Sequence, residues 1–266
     1  MGTESKEIKD AVRQRYAQAA KQASCCPPKE ALTTLTSSCC PSAATPVKGH
    51  SGRLYSTEEL QAVPQEAQQV SLGCGNPVAL AQIKPGQTIL DLGSGGGIDC
   101  FLAAERVGLQ GKVIGLDMTP EMIKLARENA QKMGFTNVEF RLGEMEQMPV
   151  EDSTVDLIIS NCVVCLSPDK DTVFKEAFRV LRPGGKLCLS DMVFLGEIPI
   201  QVKDDAEKWV HCVAGALEKD DYLRRIAGAG FADIITNKLE RREARPGEAW
   251  RSKMASLTVT AVKPGV

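Results

Sequence analysis

The chain has 266 residues, a formal net charge of −2, a pI near 5.9, and 10 cysteines against 2 histidines. That length can bury one sizeable core and carry an appendage. The charge balance offers no electrostatic footprint for nucleic acid, no apolar run approaches bilayer length, and the N-terminus lacks a signal-peptide core. The expectation is a soluble, cytoplasmic protein with neither a nucleic-acid nor a membrane partner.

Glu7 to Lys21 carries Ile8, Val12 and Tyr16 at helical spacing. Ala23 to Gly52 is rich in Ser, Thr, Pro, Ala and Cys, holds Cys25 beside Cys26 and Cys39 beside Cys40, and predicts a mobile loop. Ser56 with Glu59 forms a capping box for a short helix, and a second short helix leads into LGCGNP, a Gly-rich turn around Cys74. From Thr88 the rhythm is strand, helix, strand. TILDLG is followed by a glycine loop and a helix. KVIGLDM leads to a helix from Pro120 to Met133 with Thr119 as its cap. VEFRLG and VDLIISN are strands, a helix runs from about Asp169 to Leu181, and the turn RPGG feeds a strand from Lys186 to Phe194. Asp204 to Leu217 and Asp220 to Ala229 read as helices, and ADIITNKLE and MASLTVTAV as an antiparallel pair closing the far edge. The basic run LERREAR reads as a solvated strand end or turn. The pattern predicts an α/β fold whose mostly parallel sheet carries helices on both faces. It divides into an N-terminal helical, Cys-rich segment (1–75), a cofactor-binding core (76–195) and C-terminal helices with closing strands (196–266).

The loop DLGSGGG, Asp91 to Gly97, follows a strand and opens a helix, the context of a cofactor loop. Gly93 and Gly95 let the backbone turn tightly and approach a ligand. Ile98 stands where a dinucleotide fingerprint needs glycine, and Asp99 and Cys100 stand where a P-loop needs Lys and Ser or Thr. Asp91 would repel a pyrophosphate but suits a ligand with a positive amine or sulfonium. Asp117 ends the second strand, where ribose hydroxyls are its expected partners. Glu144 follows the third strand and can reach an adenine amino edge, while Leu116, Met118 and Met145 can flank the ring; Asn161, closing the fourth strand, joins the cofactor candidates. A lone Gly-rich turn could be an ordinary strand–helix joint, but acidic residues at successive strand ends make a nucleoside site the better reading.

Cys100 and Cys188 lie in continuous apolar segments and read as core residues. Cys74, Cys162 and Cys212 stand in a glycine turn, at a strand end and in the C-terminal cap segment. Cys162, at the carboxyl end of its strand, is a nucleophile, a soft-metal ligand or a packing residue. Cys25, Cys26, Cys39 and Cys40 are either loosely held tail residues or redox and metal-shuttling thiols. Neither histidine has a context suggesting proton transfer.

Asp91 to Gly97, Gly115 to Pro120 and RPGG resemble the class I S-adenosylmethionine-dependent methyltransferases. More narrowly, SLGCGNP, DLGSGGGID, GLDMTPEMI, SNCVVC and HCVAGAL, in that order, resemble the arsenite methyltransferases over about Tyr55 to Phe231. The resemblance implies a Rossmann-like sheet of about seven strands and S-adenosyl-L-methionine as methyl donor. It implies trivalent arsenic, delivered as a thiol complex, bound by Cys74, Cys162 and Cys212, with the arsenic lone pair attacking the methyl group. It further implies glutathione or a similar thiol as partner, and regeneration by a reductant such as thioredoxin. Family members often have asparagine where Cys165 stands; here it either adds a nearby thiol or packs. The family also often pairs an N-terminal cysteine oxidatively with the one matching Cys74, a role open to Cys25, Cys26, Cys39 or Cys40. The alternatives are a methyltransferase for a small organic acceptor with structural cysteines, and a metalloid-binding protein without turnover.

Overall fold

Strands covered on both faces must be apolar along their whole length rather than alternating. TILDL and VDLIISN meet that condition: nearly every residue in each is buried. In the computed structural model, which describes residues 2–25, 51–202 and 206–265, they are β1 (Thr88–Leu92) and β4 (Val155–Asn161). The remaining strands are β2 (Lys112–Asp117), β3 (Val138–Leu142), β5 (Leu181–Phe194), β6 (Leu217–Glu218), β7 (Ala232–Arg241) and β8 (Met254–Val262). The order is β3-β2-β1-β4-β5-β8-β7, with β6 pairing beside β5. The first five strands run parallel, and β8 is antiparallel to both β5 and β7. The expected antiparallel pair therefore closes the far edge.

The helices are α1 (Gly2–Cys25), α2 (Ser51–Leu54), α3 (Thr57–Gln61), α4 (Gln65–Gln69), α5 (Pro77–Leu80), α6 (Ile98–Val107), α7 (Pro120–Met133), α8 (Lys170–Val180), α9 (Ala206–Trp209) and α10 (Lys219–Gly228). One apolar layer packs Val173, Phe174, Tyr222 and Ile226 of α8 and α10 on one sheet face. The other packs Phe101, Ile123 and Ala126 of α6 and α7 on the opposite face. The Ser56–Glu59 capping box forms as expected. Thr119 stands at the start of α7, but its side chain caps nothing; Pro120 at the first turn and Gly134 in the left-handed region bound that helix. No helix among the described residues is long and apolar enough to cross a membrane.

Two local expectations change. RPGG is not a turn before the strand: Leu181 already pairs with Val155, and the register then jumps so that Lys186 pairs with Leu157. The intervening residues bulge out of β5, with Gly184 at φ +78°. Of the helix expected from Asp204 to Leu217, whose first two residues lie outside the described ones, α9 forms and ends at Trp209, after which the backbone amides of Cys212, Val213 and Ala214 turn back onto the carbonyls of Lys208 and Trp209. Tertiary contact overrides propensity here: Gly215 lies against the Cys165 carbonyl with no room for a Cβ. Cys26, Cys39 and Cys40 lie outside the described residues.

Candidate active site

The glycine loop owes its shape to residues that only glycine tolerates well. Gly93 and Gly95 have φ +69° and +52°, and a Cβ on Gly93 would strike Val163 of the SNCVVC segment. The amides of Gly93 and Ser94 donate to the Leu116 carbonyl at 2.8 and 2.9 Å, fastening the loop to β2. The Gly95 amide donates to Asp117 Oδ2 at 2.9 Å, and that of Thr119 to Asp117 Oδ1 at 2.8 Å. Burial pushes the Asp117 carboxyl up, against the opposing pull of these amides.

The loop opens on a cavity whose wall includes Gly93, Gly95, Asp117, Met118, Met145 and Asn161. Two sequence candidates stand elsewhere. Asp91 does not line the cavity; it accepts from the Cys100 thiol at 3.2 Å, and burial drives its carboxyl well above the ordinary range. Glu144 is bound by Lys9 at 2.7 Å and Arg13 at 3.3 Å, both from α1. Besides Asp117 and Glu146, the cavity wall holds a third acid, Asp99, in the first turn after the loop. It accepts from the Tyr55 hydroxyl at 2.9 Å and from Asn161 Nδ2 at 3.2 Å, and burial raises its carboxyl to about 6. In sequence Asp99 stands only as a residue that does not fit a P-loop; its partners Tyr55 and Asn161 lie 44 and 62 residues away. Lys9, Val12 and Tyr16 also line the cavity, so α1 lies across it.

Asn161 joins this cavity to the thiols. Its Oδ1 accepts from the amides of Cys74 and Gly75 at 2.9 and 3.1 Å, while Nδ2 donates to the Gly75 carbonyl at 2.8 Å. A Cβ on Gly73 would overlap the Asn161 amide, and one on Gly75 would overlap the Ser190 hydroxyl. The glycines of LGCGNP thus let the Cys74 turn lie directly on the ends of β4 and β5.

Four thiols collect there. The sulfurs of Cys162, Cys165 and Cys212 lie within 4.8 Å of one another, and Cys74 shares a cavity wall with Cys162 and Cys212. All four are buried and none forms a disulfide. They pack with Val12, Met192, Phe194 and Met254. Cys162 and Cys212 hold non-glycine backbones at φ +63° and +61°, a conformation that costs about 1 kcal/mol or more. Cys162 is pinned by its amide donating to the Ser190 carbonyl at 2.6 Å.

The thiols do not ionise alike. Thiol hydrogen bonds, first with Cys165, push Cys162 well up, and burial raises Cys165. Cys212 is pulled down to about 6 because Cys162 and then Cys165 hydrogen-bond its sulfur. When protonated, Cys212 can instead donate to the Cys162 carbonyl at 3.3 Å. Together the three sulfurs form a soft donor set. Cys165, left open by the sequence, is a nearby thiol. Cys188 stays in the core, its thiol pushed up to about 12 by burial.

A methyltransferase-domain family model matches residues 83–230. An arsenic(III) S-adenosylmethionine methyltransferase from Chlamydomonas reinhardtii superposes with a TM-score of 0.65 at 34% identity, covering 80% of this chain and 71% of that one. The chain belongs to the arsenite methyltransferase family. Among the family's curated members, arsenite methyltransferase of Halobacterium salinarum is 46% identical over 86% of this chain and 58% of its own length. That of Mus musculus is 35% identical over 76% of this chain and 56% of its own length. The chain thus spans a little over half the length of these two relatives.

Proposed function

We propose that the protein transfers the methyl group of S-adenosylmethionine to trivalent arsenic held by Cys74, Cys162 and Cys212. The observation that carries this reading is the junction of two cavities. Cys162 lines the cavity of the glycine loop, and it lines a second cavity together with Cys74 and Cys212. Cys165, closer to Cys162 and Cys212 but lining neither cavity, then serves as a hydrogen-bond donor behind the ligands.

The residues present fit the methyl donor. Ser94 Oγ is buried in the loop without a partner among the described residues, available to a ligand in the cavity its residue lines. Asp117 retains acceptor capacity for a ribose diol beyond its two amide donors. Asp99 supplies negative charge, and Met118 and Met145 flank the space for the base. When bound, S-adenosylmethionine supplies an electrophilic methyl group on a positive sulfur. Three sulfurs on arsenic leave its lone pair free, so no side chain need remove a proton from the acceptor. Among the described residues, no histidine lines the cofactor cavity. The protein's work is alignment, with α1 covering the cofactor cavity through Lys9, Val12 and Tyr16.

The test is a mass-spectrometric product assay with arsenite, a thiol and S-adenosylmethionine. Cys162→Ser and Cys212→Ser are expected to abolish methylated arsenic while donor binding persists. Full activity in either variant would exclude the three-thiolate mechanism.

A further inference from the structure

The second cavity has Cys74, Cys162 and Cys212 in its wall. On a chain of net charge −2 its charged lining is inverted: Lys208, Arg242, Arg245 and Arg251 against Glu207 and Glu248. Only part of that charge is compensated nearby. Arg251 pairs with Glu248 at 3.3 Å, yet its buried Nε has no hydrogen-bond partner among the described residues. Arg242 Nη2 contacts the Met192 sulfur at 3.6 Å. Neither Arg242 nor Arg245 has an ion pair among the described residues. Both come from LERREAR, which the sequence alone presents as a solvated turn.

We infer that this cavity is a recognition site for the carrier thiol: it receives arsenic(III) as a complex of a small, carboxylate-bearing thiol, whose carboxylates are held by Arg242 and Arg245. The inference rests on the reading of the thiols as arsenic ligands. Guanidinium forks match carboxylates geometrically, and cations in a recessed cavity raise the local concentration of an anionic complex. Transfer is ligand exchange without change of oxidation state. A cysteine sulfur forms a bond to arsenic, an arsenic–carrier sulfur bond breaks, and the cysteine's proton leaves with the carrier as its thiol.

The experiment compares arsenite presented with glutathione, which is anionic, and with 2-mercaptoethanol, which carries no charge. Binding is followed by tryptophan fluorescence, since Trp209 and Trp250 pack on the thiol cluster. Wild type is expected to bind from the glutathione complex more tightly, by on the order of tenfold, with the preference shrinking as salt rises. In Arg242→Gln/Arg245→Gln the preference is lost while binding from 2-mercaptoethanol is unchanged. Equal affinity from both carriers in wild type, or a preference that survives both salt and the double substitution, overturns the inference. The salt series needs no variant and so stands even if the double substitution fails to fold. Arsenic bound from neither carrier would instead overturn the reading of the thiols as ligands.

Discussion

Replacing Asn161 by alanine strips one side chain from both halves of the site. The amides of Cys74 and Gly75 lose the acceptor they reach at 2.9 and 3.1 Å, and the Gly75 carbonyl loses its donor at 2.8 Å. The Tyr55 hydroxyl and Asp99 lose a shared contact at 3.0 and 3.2 Å. A buried polar group left without a partner costs about 1–3 kcal/mol. Water reaching this half-buried position offsets part of that, leaving a destabilisation of about 2–4 kcal/mol. In a domain of this size that lowers Tm by roughly 4–10 °C. Scanning calorimetry of wild type and Asn161→Ala measures it. Titration with arsenite should also show a weaker complex, because Cys74 is no longer held on the end of β4. Tyr55→Phe serves as the control, since it removes one bond to Asn161 and leaves the Cys74 turn intact. An unchanged Tm together with unchanged arsenite affinity in Asn161→Ala would refute the assignment of Asn161 as the joint between the cofactor cavity and the thiols.

Asp99 titrates near 6 in the folded chain against an ordinary value of 3.8, because it is buried. The unfolded chain gives up that proton first, so stability falls as pH rises from about 4 to 6; Asp99→Asn should flatten this fall in urea melts at successive pH values. A cationic ligand favours the ionised carboxylate, so calorimetric affinity for S-adenosylmethionine should rise with pH through about 6, and Asp99→Asn should weaken that dependence. Cys165→Ala removes one of the two thiols that lower Cys212. Its thiolate absorbance should then titrate at higher pH than in wild type, and an unmoved titration would mean that Cys165 does not support the thiolate. Gly93→Ala forces an alanine into φ +69° against Val163. It should cost at least about 1–2 kcal/mol in denaturant melts and weaken donor binding, while Gly86→Ala, with φ +80° but open space around it, should show the backbone cost alone.

Much of the frame was legible because single segments carried their own signals. Pro120 and Gly134 bound α7 in sequence as in space, and the apolar run ending at Ser160 puts Cys162 at a strand's carboxyl end. The site was less legible where it depends on partners far apart in the chain. Asn161 reaches Cys74 across 87 residues, and no local pattern records that contact. Cys165 looks like one more apolar residue until Cys212 is brought against it by a turn where helix propensity predicted a helix. Glu144 was read toward an adenine because its position after β3 is visible in sequence, while its binding by Lys9 and Arg13 depends on where α1 packs. Asp99 is a like case, its partners Tyr55 and Asn161 lying 44 and 62 residues away in the chain.

The left-handed backbones of Cys162 and Cys212 set a trap for anyone engineering this chain for robustness. Glycine adopts that conformation without the steric penalty, so exchange at either position relieves strain there. A campaign that ranks variants by melting temperature would have reason to favour the two replacements that remove the proposed arsenic ligands. The durable way to a hardier protein lies elsewhere, at left-handed non-glycine positions such as Ser153 and Asp233. There the same exchange relieves the same strain and leaves every sulfur in place.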